Sequence, residues 1–342
     1  MIFKELTVYL APEFTYSLEQ LNEKLASFKS NQISDEATYS VGFVNPISSV
    51  REDLVLQLNS MFAFKIKIQE KKVSPSKVKA LTEQRITKAL EEVESLSREA
   101  RADLEDQTRN ELTRLEPPKS YYVTAYIDTG TGYLYVGDKS DSRCNALLGL
   151  LRKALGSFAC HMVNTNLCPS IVLREVILER SHLENGLIAE PWSAVKAVGD
   201  KTSQSLSYKD IDLGEFELGT LESRFITQLD MLFCAADNER WCFTLSCKKK
   251  DQFFTLSKIV NLPSSNIMDE PLFNHSEENH NANWLILADR LSRMVTSLVL
   301  SFGGLRGSEE DPVNIDADSL KRAALLNLPE GMTVTVTEVH NG

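Results

Sequence analysis

A long helical segment bounded by prolines constrains the fold of this chain most. Ser74-Pro75 places a proline at the first turn of a helix, where its missing N–H costs nothing. Apolar residues then recur at spacings of three and four from Ile86 to Leu104, and Pro117-Pro118 ends the pattern. Because the segment is too long for one ordinary globular helix, it predicts a helical hairpin or arm that breaks near Ser95–Arg98.

Charge divides this region into two limbs of opposite sign. Lys65 to Leu90 contains eight basic and two acidic residues, whereas Glu91 to Glu116 contains four basic and nine acidic ones. The whole chain is acidic, with 37 Lys and Arg against 48 Asp and Glu. This contrast favours a polyanionic partner on the basic limb, with the acidic limb facing away, because the remainder of the protein repels it. A solvated helix face is the simpler alternative.

Composition bounds the other possibilities. A chain of 342 residues with 42% hydrophobic content can form two or three cores. The start, Met1–Glu5, has no basic stretch followed by an apolar run, so we predict no signal peptide. Trp284–Phe302 is the most apolar long segment, but it carries Asp289, Arg290 and Arg293, which indicate an amphipathic helix rather than a membrane span. The six cysteines are scattered among apolar neighbours, which is typical of reduced thiols in a cytoplasmic protein.

Periodic patterns predict an α+β fold with antiparallel β-sheet domains around the arm. The predicted strands are Ile2–Leu10, Tyr39–Val44, Leu54–Leu58, Phe62–Ile68, Tyr121–Asp128, Tyr133–Val136, Ser223–Cys234, Arg240–Cys247 and Gln252–Ile259. The predicted helices outside the arm are Ser17–Phe28, Asp141–Leu155 and a helix from Trp284. Pro169–His182 fits a short strand or helix, and two polar stretches, Val195–Leu206 and Asn274–Asn283, predict loops. The acidic tail predicts a helix over Ala317–Leu326 and a strand over Met332–Val339.

These patterns divide the chain into four regions. Residues 1–73 and 119–168 form one α+β region, and residues 74–118 form the arm. Residues 169–304 form a second α+β region that ends in the amphipathic helix. Residues 305–342 form an acidic extension.

Asp128-Thr129-Gly130 matches the active-site loop of aspartic proteases. That chemistry requires two carboxylates that share a proton, and the sequence has one such motif, so a homodimer would have to supply the second. The glycines of Thr129–Gly132 also suit a β-hairpin turn, which explains the motif without catalysis. A homodimeric protease that uses Asp128 remains an alternative hypothesis.

Cysteine and histidine spacing does not build a catalytic or metal site. Cys242 and Cys247 with His275 and His280 resemble a zinc-ligand set, but two cysteines five apart on a strand point to opposite faces. The neighbours Cys160-His161 diverge in the same way. No glycine-rich phosphate loop follows a predicted strand. We therefore predict no metal, no cofactor and no enzymatic activity.

Two further basic groups have structural explanations of their own. Arg152-Lys153 lie in the last turn of a predicted helix, where cations complement the helix dipole. Lys248–Lys250 lie on a predicted turn, either as solvated residues or as a second phosphate-contacting spot.

An ordered set of motifs resembles the RdgC family of recombination-associated DNA-binding proteins. The most specific is Leu150–Ser157, which is close to the family's Leu-Leu-Arg-Lys-x-Leu-Gly-Ser. The others are Phe3–Tyr9, Ser74-Pro75 with Lys79, Arg85-Ile86 and Lys88, Tyr126-Ile127-Asp128 with Gly132, Leu134 and Val136, and Leu285–Gly304. The similarity spans Met1 to Gly304, and the sequence departs from the family after the arm.

The resemblance implies a horseshoe-shaped monomer that closes into a ring dimer around double-stranded DNA. It also implies sequence-independent binding through a positive inner surface, functional antagonism of RecA, and a cytoplasmic, nucleoid-associated protein. The predicted DNA contacts are Lys71, Lys72, Lys77, Lys79, Arg85, Lys88, Lys119, Arg152, Lys153, Lys209, Lys248, Lys249 and Lys250. Tyr121 and Tyr122 stand near the family's ring-closing phenylalanine and are the predicted dimer interface. An acidic scaffold whose arm binds a protein partner is the remaining alternative.

Overall fold

The computed structural model of the chain divides it into two compact units. The first unit is Tyr9–His161, and the second combines the described residues of Met1–Val8 and Met162–Gly342. The structure describes residues 3–34, 36–47, 52–178, 183, 186–190, 192–199, 205–213, 221, 224–234, 240–262 and 277–306. The helices are α1 (Leu18–Ala26), α2 (Pro75–Ala89), α3 (Arg98–Leu115), α4 (Asp141–Leu155), α5 (Pro169–Leu178) and α6 (Glu277–Ser301). The strands are β1 (Glu5–Leu10), β2 (Tyr39–Val44), β3 (Val55–Leu58), β4 (Met61–Glu70), β5 (Lys119–Asp128), β6 (Tyr133–Val136), β7 (His161–Met162), β8 (Leu187–Ala189), β9 (Trp192–Gly199), β10 (Ser205–Asp212), β11 (Arg224–Cys234), β12 (Arg240–Cys247) and β13 (Phe254–Leu262).

An antiparallel sheet in the order β6-β5-β4-β2 forms the centre of the first unit, with β3 also paired to β4. In this register Ile66 lies opposite both Phe43 and Val123, and all three side chains are fully buried. Helix α4 packs against β2 and β5, and α1 packs against α4 and β3. Since neighbouring strand residues point to opposite faces, the helices cover the face that carries these apolar side chains.

The opposite face of the same sheet is polar and lies beneath the segment that follows α1. Lys65, Lys67 and Gln69 alternate along β4 and share this face. Gly42 lies opposite Lys67, and a Cβ atom on this glycine would stand 2.4 Å from the Cα of Ser30. A residue without a side chain is therefore required where the two backbone segments cross.

The arm is a pair of helices inserted between two neighbouring strands. Glu70 at the end of β4 lies directly opposite Lys119 at the start of β5, and α2 and α3 are inserted between them and pack on each other. The hydroxyl oxygens of Ser74 and Ser97 accept hydrogen bonds from backbone N–H groups in the first turns of α2 and α3. The predicted break in the helical region is confirmed, because α3 begins at Arg98.

Antiparallel strands in the order β10-β9-β11-β12-β13-β1, with β8 beside β11, form the centre of the second unit. Helix α6 anchors its apolar face there: Trp284 is 1% exposed and meets Phe3 edge-to-face, with 5.9 Å between the ring centroids. Among the described helices, none is long and apolar enough to cross a membrane. The predicted α+β class with antiparallel sheets is confirmed.

Three sequence predictions change in the second unit. The predicted loop Val195–Leu206 was wrong over its described residues, because 195–199 belong to β9 and 205–206 to β10, and these strands pair with each other. Val195 and Ala197 are buried and pair with β11, so short side chains concealed the alternation. The predicted loop Asn274–Asn283 was wrong over its last residues, because α6 begins at Glu277. The ambiguous stretch from Pro169 forms α5, while the predictions over Ala317–Leu326 and Met332–Val339 lie outside the described residues.

Candidate nucleic-acid interface

Helix α2 presents lysines on both sides of its solvent-facing surface. With 3.6 residues per turn, Lys77 and Lys88 lie on one side and Lys79 lies on the other. The exposed surface between them carries the small residues Ser76 and Ala80 and also Glu83, which pairs with Lys79. The lysines therefore flank the exposed side of the helix, where each can reach a phosphate group. We call Lys77, Lys79 and Lys88 the arm lysines.

The ion pairs made by these lysines and by Lys72 are exposed to solvent. Lys79 pairs with Glu83 at 3.9 Å, and its side chain is 78% exposed. Lys72 pairs with Glu70 at 2.8 Å, and Lys77 pairs with Glu116 on the acidic limb. The lysines are the exposed partners of these pairs, while the side chains of Glu70 and Glu116 are 27% and 23% exposed. Ion pairs at a protein surface are weak, so a phosphate group can replace the carboxylate at little cost.

Arg85 holds the two helices of the arm together. Its Nη1 donates a hydrogen bond of 3.1 Å to Oγ1 of Thr108, and its guanidinium pairs with Glu111. Thr108 is fully buried, and its hydroxyl donates to the carbonyl of Leu104. The hydrogen bond and the charge of Arg85 hold the pKa of Glu111 below its usual range. The basic and acidic limbs therefore pack against each other along this seam, and the prediction that the acidic limb faces away from a polyanion stays a prediction.

Lys71 is part of the interior rather than of the exposed basic surface. The residue is 6% exposed, and its ammonium donates to the carbonyl oxygens of Ser34 at 3.3 Å and Arg114 at 3.2 Å. These bonds join the end of β4 to the end of α3. Lys71 accordingly connects the base of the arm to the sheet.

The segment after the arm exposes two tyrosines on opposite faces of β5. Tyr122 is 54% exposed, and the Nζ of Lys65 lies 5.2 Å from the centroid of its ring. Tyr121 is 37% exposed, and the guanidinium of Arg143 lies 5.7 Å from its ring. Burial lowers the pKa of Lys65. Lys119 is exposed at the start of the strand.

The other predicted DNA contacts lie away from the arm. Arg152 in the last turn of α4 directs its Nε to the carbonyl of Phe158 at 3.4 Å, and Lys153 beside it is exposed. Both residues belong to the first unit, as the arm does. Their position at a helix C-terminus gives them a structural role through the helix dipole.

Four predicted contacts belong to the second unit. Lys209 is exposed on β10, at the point where its register with β9 shifts. Lys248, Lys249 and Lys250 form the turn between β12 and β13. The ammonium of Lys249 donates a hydrogen bond of 2.9 Å to the carbonyl of Gly199, which joins this turn to the end of β9.

A cleft at the base of the arm contains residues that sequence reasoning did not single out. Its volume is about 590 Å³. It is lined by Ser30, Asn31, Gln32, Ile33, Val44, Lys67, Gln69, Lys71, Arg114, Leu115, Glu116, Pro117 and Pro118. We call it the arm-base cleft. Polar residues at alternate positions, Lys67 and Gln69 on β4 and then Lys71, were the sequence signal available for this cleft. The other residues that line it come from distant parts of the chain.

The motifs weighed for catalysis have structural roles in the described chain. The carboxylate of Asp128 accepts hydrogen bonds from the Ser60 and Thr131 hydroxyls and from the Gly130 N–H, which fixes the β5–β6 hairpin. The thiol of Cys242 donates to Glu190, and burial with this carboxylate raises its pKa to about 12. Among the described residues, no group of three or more His, Cys, Asp and Glu side chains is placed to hold a metal ion. His275 of the weighed zinc set lies outside them.

The fold and this surface define an α+β protein with a basic helix exposed on an inserted arm. The family model described as "Putative exonuclease, RdgC" matches residues 1–305, and the chain therefore belongs to the RdgC family. The chain is 24% identical over 310 residues to the recombination-associated protein RdgC of Neisseria meningitidis serogroup B (strain ATCC BAA-335 / MC58), covering 89% of this chain and 99% of that protein. It is 21% identical over 305 residues to the protein of that name from Mannheimia succiniciproducens, covering 88% and 97%.

Proposed function

We propose that this protein binds double-stranded DNA without sequence specificity and modulates RecA-dependent recombination. The observation that carries the proposal is the exposure of the three arm lysines on helix α2 of a chain whose formal net charge is −11. Lysines are compact charges that contact phosphates without reading bases, so binding through them is indifferent to sequence. The name of the relatives, recombination-associated protein, supports the process in which such binding acts.

A salt series tests the DNA contacts. Fluorescence anisotropy of a labelled random-sequence duplex is compared for the wild type and the variant Lys77→Gln/Lys79→Gln/Lys88→Gln. Each lost phosphate contact lowers the slope of log affinity against log salt by about 0.9, so we expect a decrease of about 2–3. Salt-independent or absent binding by the wild type would favour the protein-interaction scaffold.

A matched control removes the same charge from the acidic helix. Arg98, Arg101 and Arg109 are exposed on α3. Their replacement by glutamine changes the net charge as much as the arm-lysine variant does. We expect the salt slope of this control to stay within about 0.5 of the wild type. Equal salt slopes for the two variants would mean that the total charge lost, and not its position on α2, determines DNA binding.

We further propose that two horseshoe-shaped monomers close into a ring through Tyr121 and Tyr122. Both side chains are exposed on the strand that follows the arm, on opposite faces of it, and Leu115 at the end of α3 is 81% exposed. Large exposed apolar side chains of this kind are typical of interaction surfaces. In sedimentation velocity, Tyr121→Ser/Tyr122→Ser is expected to shift a dimer to monomer, while Tyr39→Ser on β2 leaves it unchanged. A dimer that persists in the double variant would contradict this interface.

We propose binding without strand cleavage. An end-labelled linear duplex incubated with the protein and Mg²⁺ should keep its full length. Release of labelled nucleotides would instead establish an exonuclease if the activity persists after further purification and is lost in the arm-lysine variant.

The consequence for recombination is tested with RecA-driven strand exchange. The wild type should inhibit exchange by occupying the duplex, and the arm-lysine variant should lose this inhibition at equal concentration. Unchanged inhibition by the variant would mean that the protein acts on RecA by a route other than duplex binding through the arm lysines.

A further inference from the structure

We propose that the arm-base cleft binds a nucleoside monophosphate, either free or as the terminal nucleotide of a DNA strand. The site is distinct from the arm lysines, and the inference does not depend on duplex binding by the arm. It stands on three features of the cleft: its charge, an unpaired buried acceptor and its size.

The charge of the cleft suits a phosphate group. Lys67, Lys71 and Arg114 are among the residues that line the cleft, and Lys71 is buried. Glu116 is the acidic residue among those that line the cleft, and its carboxylate already pairs with Lys77 outside that lining. The lining is therefore net positive. A partly enclosed group of cations binds an anion more strongly than an exposed group does, because solvent screens the interaction less.

Gln69 supplies an independent indication of a ligand. The residue is 4% exposed, and its amide Oε1 is buried without a hydrogen-bond partner among the described residues. A buried acceptor without a partner is costly, and Gln69 also lines the cleft. The group that would satisfy it is an N–H donor. The exocyclic amino group of adenine or cytosine is such a donor, and glutamine pairs with adenine amino groups in base recognition.

The walls and the size of the cleft fit one nucleotide rather than a duplex. Val44 and Ile33 line it from the sheet and from the segment after α1, and Pro117 and Pro118 line it from the end of the arm. These apolar residues are the smaller part of a mainly polar lining, and they can contact the face of a base. A volume of about 590 Å³ lies within the range of about 300–1,000 Å³ that is common for small-ligand pockets.

Calorimetric titration with AMP and with inosine monophosphate tests the site. The two differ at the purine 6-position, where the amino group of AMP is a carbonyl in inosine monophosphate. We expect AMP to bind about tenfold more tightly, because the carbonyl leaves Gln69 Oε1 unpaired. Gln69→Leu should remove this preference and retain the phosphate-dependent affinity. The thermal midpoint of this variant without ligand should equal or exceed that of the wild type, because an unpaired buried acceptor is removed.

Charge variants locate the phosphate. Lys67→Gln and Arg114→Gln should each weaken both nucleotides by about tenfold. Lys65→Gln is the matched control, since Lys65 lies on the same face of the same strand but does not line the cleft. We expect this control to stay within about twofold of the wild type. Absence of AMP binding at millimolar concentration, or equal binding by all three variants, would overturn the proposal.

Two further ligands distinguish the source of the nucleotide. A single-stranded oligonucleotide ending in a 5′-phosphoadenosine is compared with the same strand ending in a 5′-hydroxyl. Competition with AMP by the phosphorylated strand assigns the cleft to strand ends, and AMP binding without that competition assigns it to free nucleotides. Duplex binding by the arm is measured separately on a dumbbell DNA without ends, so either proposal can fail while the other stands.

Discussion

The sheet of the first unit and the arm inserted into it are held by different interactions. In the sheet, Ile66 lies between Phe43 and Val123 with no exposed surface. In the arm, the buried residues of α2 and α3 are few: Val78, Thr82 and Thr108. Apolar burial fixes the sheet, whereas a small buried seam and the bonds of Arg85 to Thr108 and Glu111 hold the arm. The arm can therefore carry many charged side chains because few of its residues are needed for a core.

The largest expected effect is on the sheet. Ile66→Ala should lower the free energy of unfolding by about 2–5 kcal/mol, because it removes buried methyl groups and leaves a cavity. Urea unfolding followed by circular dichroism measures the change. Val123→Ala in the sheet and Val78→Ala in the arm remove the same two methyl groups from buried positions, and we expect the arm variant to cost less. Equal costs would mean that the arm has a core comparable to that of the sheet.

The second-largest effect is expected at Gly42 on β2, where the segment after α1 passes close to the strand. Gly42→Ala should cost about 1–3 kcal/mol, because its Cβ would stand 2.4 Å from the Cα of Ser30 and force the backbone apart. Gly149→Ala in α4 is the control, since a Cβ there meets nothing within 4 Å. Thermal unfolding of both variants measures the difference. A Gly42 variant as stable as the wild type would show that the crossing is loose.

A smaller, pH-dependent effect is expected in the arm. The folded pKa of Glu111 lies below its unfolded value because of Arg85, so the stabilisation is present above the unfolded pKa and is lost as pH falls through the folded pKa. Hydrogen-exchange protection of α2 and α3, corrected for intrinsic rates, should fall over that acidic range. In Arg85→Gln this pH dependence should be largely lost. Arg109→Gln is the control, because its pair with Glu105 lies within one helix.

The smallest effect on stability comes from an arm lysine. Lys79→Gln should change the free energy of unfolding by less than about 0.5 kcal/mol, as is usual for exposed positions. The same variant should lower the salt slope of duplex binding by about 0.9. Chemical denaturation and fluorescence anisotropy on one preparation measure both quantities. A large loss of stability would show that Lys79 supports the arm rather than its surface.

Much of this architecture could be predicted from local pattern. The strands Tyr39–Val44 and Tyr133–Val136 and the helix Asp141–Leu155 have the predicted boundaries, because alternation and helical spacing there coincide with burial. The β9–β10 pair was missed because short and polar side chains carry its strands. Its partner strand β11 lies further along the chain, beyond the reach of local propensity.

The candidate site was predictable in its charge but not in its connections. The sequence grouped Lys71, Arg85 and Lys79 as equivalent cations. In the structure Lys71 is buried and joins the arm to the sheet, Arg85 joins the two helices of the arm, and Lys79 is exposed. Local sequence does not distinguish these roles, because the partners Ser34 and Thr108 are distant in the chain. The arm-base cleft depends on the same long-range contacts. The DNA contacts themselves stay predictions.

Because Glu70 pairs directly with Lys119, removal of the arm would leave two strand ends that are already neighbours. The strands on either side are already neighbours, so the sheet does not need the arm to set its register. A chain in which Asn-Gly replaces residues 71–118 would join β4 to β5 through a two-residue hairpin turn. Helical segments of other lengths could be grafted at the same two positions. The reach of the arm is therefore free to vary between relatives without redesign of the sheet.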